Sequence, residues 1–128
     1  MKNNMKNIIT ILILLFVLNN QEILRVINQY RGLNHLPALR SSQVLNKTAE
    51  YKVKTGQFSH KGFNQILKKF NVKYGTAGEN LGLNYSKESK LVDAFMDSPT
   101  HRANILDIDF KYIGIANNGT LTAVHFSN

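Results

Sequence analysis

The 128-residue chain contains no cysteine. That absence removes disulfide staples, thiolate nucleophiles, cysteine-ligated zinc and lipoprotein acylation together. Any staple has to come from packing, hydrogen bonding or a site made of histidines and carboxylates. Acids are scarce as well: 8 Asp and Glu stand against 16 Lys and Arg, for a net charge of +8. The basic residues are scattered, with only Lys68 and Lys69 adjacent, and no basic stripe carries interleaved aromatics. Weak attraction to anionic wall polymers or lipid headgroups fits such a distribution, and no nucleic-acid partner is expected. There is no HExxH-type metal motif, no internal repeat and no linker, so one domain is expected.

No apolar run reaches the roughly 20 residues that span a bilayer. The run Ile8–Leu18, broken only by Thr10, follows Lys2 and Lys6 with no acid before it. That is the length of a signal-peptide core, and residues 1–20 are expected to be a signal peptide. Val17 to Gln21 offers no small residue for cleavage, so an uncleaved N-terminal anchor stays open beside it, and a buried helix is a third reading. Export to the extracellular space or cell surface is expected, with a folded, monomeric domain over 21–128. The membrane is met only through residues 1–20, if they are kept.

What is present reads as helices first and a sheet late. Ile23, Val26, Ile27 and Tyr30 recur at helical spacing, so a first helix is expected over 21–31, stopped by Gly32. Ser41 or Ser42 can cap a second, with Leu45, Ala49 and Val53 inside and Gly56 at its end. A short helix over 63–70 follows. Ser86 is the expected cap of a fourth, whose buried face is Leu91, Val92, Phe95 and Met96. Ser98 followed by Pro99 opens a fifth. Tyr112–Ala116 and Leu121–Phe126 alternate at strand spacing around Asn118-Gly119, a hairpin signal, and Glu79–Asn84 can add a third strand. The class is α+β.

Two of the four histidines lie where chemistry is plausible. His60 is in the loop after the second helix. His101 is at about the third position of the fifth helix, where the helix dipole favours a neutral ring. Glu79 sits between Gly78 and Asn80, where backbone can approach a ligand. Two histidines and a carboxylate suit an open zinc site with water in the fourth position, or equally a base, its orienting partner and an acid. Both remain open on spacing alone. His35 and His125 are read as structural, the aromatics as core, and Asp93 with Asp97 as a solvated helix face.

In order along the chain, Ile23–Arg31 with its Asn28 and Arg31, Leu36-Pro37-Ala38-Leu39, Phe58-Ser59-His60, Ala77-Gly78-Glu79-Asn80-Leu81 and Phe95–Leu106 form a set of blocks. Together they resemble the CAP (SCP-like) superfamily of cysteine-rich secretory, antigen 5 and pathogenesis-related 1 proteins, in its short bacterial branch. Phe95 stands where the branch usually has Trp. The resemblance implies a three-layer α-β-α sandwich with a small antiparallel sheet and a cleft. It implies that His60, His101 and Glu79 share that cleft as metal or catalytic candidates, with Asn80, Ser98, Arg102 and Asn104 around them, and Zn2+ as the cofactor. The family's second acidic position is Ser98 here.

Three functions follow as expectations. The first is an extracellular binding module holding a lipid, wall polymer or protein, with a divalent metal in a His/Glu cleft. The second is a metal- or histidine-dependent hydrolase acting on peptide or wall substrates. The third is a structural cleft with function on the surface. The binding module is preferred, and whether the chain is an enzyme stays open.

Overall fold

A computed structural model of the chain describes residues 17–128. The described residues form five helices, α1 (Asn20–Leu33), α2 (Gln43–Thr55), α3 (Phe63–Lys69), α4 (Glu88–Asp97) and α5 (Pro99–Ile105). Four strands, β1 (Arg40–Ser41), β2 (Ala77–Leu83), β3 (Tyr112–Asn117) and β4 (Leu121–Ser127), form one sheet in the order β1-β3-β4-β2. The pairs β3·β4 and β4·β2 are antiparallel, as expected. The two-residue β1, which sequence periodicity had no length to reveal, adds a parallel edge on β3.

Strand alternation sorts the core into two layers. Ile113, Ile115, Val124 and Phe126 face one way, onto Ile23, Val26 and Ile27 of α1, Leu91, Val92 and Phe95 of α4, and Ile105 of α5. Leu81, Ala116, Leu121 and Ala123 face the other way, onto Ala49 and Val53 of α2. The sandwich is therefore helix, sheet, helix. Gly114 lets α2 lie directly on β3: a Cβ there would stand 2.0 Å from the Leu45 carbonyl carbon.

The fully buried Arg31 ties α1 to the end of α5 and the chain that follows it, within the same layer. Its guanidinium donates to the carbonyls of Pro37, Ile105, Asp107 and Phe110. Asn28 closes the neighbouring turn by pairing with both backbone groups of Leu39.

Several boundaries differ from the sequence reading. Gly32 stays inside α1; the helix ends at Leu33 with Asn34 as its C-cap, and His35 makes the left-handed reversal at φ 59°. The Leu36 amide bonds Arg31 O and the His35 amide bonds Gly32 O, so the ending is a Schellman motif with histidine where glycine is usual. Ser42 caps α2 through Leu45 N, while α4 is entered from the extended Lys87 rather than from Ser86. Pro99 opens α5 behind Ser98, whose hydroxyl makes no cap bond. Asp93 is not simply solvated: it accepts the Tyr30 hydroxyl at 2.5 Å. In the β3–β4 turn only Gly119 takes a positive φ, at 88°.

The fold begins before Gln21. Leu18 is 5% exposed and packs in the larger core, and its N–H and C=O both pair with the Asn117 side chain. Asn19 caps α1 through Glu22 N and gives its own N–H to Glu88. The expected leader or anchor lies otherwise in residues 1–16, outside the described residues. No helix among the described residues is long and apolar enough to cross a membrane.

Candidate functional site

Strand β2 is an edge of the sheet, so the two helical layers can meet around it. Its side chains alternate between them. Glu79 points toward α2, while Asn80 points toward α5, donating to His101 O at 3.0 Å and accepting from Asn104 Nδ2 at 2.8 Å. Asn104 also reaches the Glu79 carbonyl at 3.4 Å. These amide contacts seat the first turn of α5 on β2 and thereby place His101 at the edge.

His60 arrives from the other layer. The loop carrying it is pinned by Lys52, a lysine 1% exposed on the inner face of α2. Lys52 Nζ donates to Ser59 O at 2.7 Å and Lys61 O at 3.2 Å, and lies 3.5 Å from Glu79 Oε1. His60 Nδ1 stands 2.9 Å from that same Oε1, while its side chain stays 60% exposed. The His60 and His101 rings face each other edge-on with centroids 6.5 Å apart. Phe95, from α4, packs against His101 at 5.2 Å.

The Glu79 carboxylate is fully committed. Its second oxygen meets His125 Nε2 at 2.7 Å, across the register pair Glu79↔His125 of the β2·β4 ladder. Burial pushes the Glu79 carboxyl up, but hydrogen bonds from His125 and His60, with the charges of His125 and Lys52, outweigh it and hold the group below its ordinary value. Burial, and then the neighbouring His60, lowers His101. Burial also lowers His125 more than the Glu79 contacts raise it. Both of these imidazoles therefore favour the neutral form; His101 at the edge can then accept a proton or ligate, while both ring nitrogens of the buried His125 are already taken by Glu79 and Thr48.

Glu79 thus enters the site behind His60 rather than beside it. Among the described residues no three His, Asp or Glu groups converge as metal ligands. Of the surrounding residues, Asn80 and Asn104 support His101 as described. Arg102 is exposed and lines a separate groove with Met96, Asp97 and Pro99. Ser98 makes no cap bond and takes no part in the hydrogen-bonded cluster. Sequence reasoning passed over Lys52 and Thr48 and set His125 aside. The signal for Lys52 was available: it sits where the α2 stripe of Leu45, Ala49 and Val53 calls for an apolar side chain.

Comparison with known proteins bears on the family and the fold. The family model of the cysteine-rich secretory protein family, CAP, matches residues 24–120. The chain belongs to the CAP family. The CAP chain is 29% identical over 104 residues to YkwD of Bacillus subtilis, covering 74% of itself and 40% of that protein. It superposes with a TM-score of 0.80, at 24% identity, on an extracellular SCP-domain protein from Bacillus anthracis, over 84% of this chain and 39% of that one. With an outer surface protein of Borrelia burgdorferi the TM-score is 0.73 at 22% identity, over 86% and 95%. The chain spans about two fifths of the length of the YkwD and Bacillus anthracis proteins. These solved neighbours share the fold, an α+β CAP sandwich.

Proposed function

We propose that this CAP domain is an exported binding module whose edge cleft holds a divalent metal of the zinc class between His60 and His101 and uses it to retain an extracellular lipid, wall polymer or protein. One observation carries the reading: His60 is exposed, yet its Nδ1 is held by a buried carboxylate, which leaves the other ring nitrogen for the cleft beside His101. The donor set suits such an ion, since ligating histidines are characteristically oriented by a carboxylate on the far nitrogen. A bound ion of this class supplies open coordination positions for water or a ligand oxygen. Export is supported by the apolar run behind Lys2 and Lys6, and by relatives described as extracellular or outer-surface proteins.

Calorimetry with zinc on the full chain tests this. One-to-one binding is expected in the wild type and is expected to vanish in His60→Ala and in His101→Ala. A folded wild type that takes up no zinc sinks the reading. A hydrolase is the second reading, favoured by the Glu79–His60 pair, which has the geometry of an orienting acid and its base. It requires turnover of some peptide or wall substrate that His101→Ala abolishes.

A further inference from the structure

The polar line does not stop at Glu79. Beyond it, His125 Nδ1 lies 2.7 Å from Thr48 Oγ1, and both residues have no exposed surface. Phe63 covers the imidazole with its centroid 4.8 Å away. Thr48 and Lys52 are four residues apart on the inner face of α2, so one helix face supplies both contacts to the cluster.

The proton positions follow from counting donors. The Glu79 carboxylate only accepts, so His125 Nε2 carries the hydrogen of that 2.7 Å bond. In a neutral ring Nδ1 is then bare and accepts the Thr48 hydroxyl. Thr48 Oγ1 also lies 2.9 Å from Leu45 O, but that carbonyl has a helical amide to accept from, and the hydroxyl has one proton. With Oε2 held by His125 and Oε1 beside Lys52, the carboxylate cannot swing, and Oε1 meets His60 Nδ1. An ionised carboxylate there demands a hydrogen on Nδ1 and leaves Nε2 bare, the reverse of the tautomer that free histidine favours. Which ring nitrogen is bare is set by the bond the other one makes.

We propose that His125, seated by Thr48, is a positioning residue of the cleft: it locks the Glu79 carboxylate so that His60 presents a bare Nε2 to an incoming ion or ligand. The role rests on the cleft being built around His60 and His101. It is separate from whether zinc is the occupant.

The test is long-range proton–nitrogen NMR of the full chain, labelled with 15N-histidine and held above the ordinary histidine titration range, run beside zinc calorimetry. In the wild type, His60 is expected with hydrogen on Nδ1. In His125→Leu it is expected to shift mainly to the Nε2–H form, with zinc affinity lower by about tenfold or more. His125→Gln, whose amide can still donate to Glu79, is expected to restore the Nδ1–H form. Thr48→Val is expected to shift it in part without emptying the core. Folded His125→Leu protein with His60 still fully Nδ1–H overturns the proposal. If His125→Leu does not fold, Thr48→Val with an unchanged tautomer at His60 overturns it instead. A tautomer shift in a protein that binds no zinc upholds the positioning role while the metal reading falls.

Discussion

At His35 the backbone takes φ 59°, the conformation that L side chains adopt at a cost of roughly 1–2 kcal/mol. The cost is accepted because the Schellman pattern closes α1 and turns the chain toward Pro37, whose carbonyl Arg31 needs. Glycine supplies the same reversal without the Cβ penalty, though it loosens the unfolded chain. His35→Gly is therefore expected to raise stability by about 0.5–1 kcal/mol, read as a higher denaturation midpoint with an unchanged slope. A loss of stability would mean that the imidazole makes contacts worth more than the strain. Lys52 is the contrasting case. Its charge is buried, but two carbonyls and a carboxylate surround the ammonium, so burial there joins the His60 loop to Glu79.

Among the elements, α2 does the most to assemble the site. It carries Thr48 and Lys52, it leads into the His60 loop, and it lies on β3 only because position 114 has no side chain. A Cβ at 114 meets helix backbone rather than a movable side-chain tip, so the helix itself must shift. Gly114→Ala is expected to cost about 3 kcal/mol or more, as overpacking against rigid backbone does at its upper end. It should also weaken zinc binding in whatever fraction remains folded, because Thr48 and Lys52 move with the helix. A melting temperature within 2 °C of the wild type would contradict this account of the α2 contact. On the opposite layer, Asn80 and Asn104 do for α5 what Lys52 does for the His60 loop.

For the whole molecule, acid is the relevant stress. His101 and His125 are held below their ordinary value of 6.5 in the fold, mainly by burial. The unfolded chain therefore takes up their protons first as pH falls, and stability is lost from about 6.5 down through the folded values. Glu79 is also held below its ordinary carboxylate value, so its contribution is present above about 4.3 and disappears below it. The melting temperature is expected to fall in two stages between pH 8 and pH 3, with the upper stage smaller in His125→Gln. A melting temperature flat from pH 8 to pH 5 would remove the buried neutral histidines from the account.

The amino-acid sequence by itself determined the order of the helices and of β2 to β4, because the longer elements carry their own periods: Ile23, Val26 and Ile27 for α1, alternating residues from Leu121 to Phe126 for β4. It determined the hairpin at Gly119 and the start of α5 at Pro99, since both rest on local backbone chemistry. His60, Glu79 and His101 could be picked out by their order in blocks that resemble a family. Which of them face each other was decided only by the tertiary structure. Glu79 and His125 are 46 residues apart and become partners through strand register. Thr48 reaches His125 because a glycine on a third element admits the helix. Register and close approach are properties of pairs of distant segments, and no local period encodes them; that is why a histidine that reads as core filling in β4 stands directly behind the cleft.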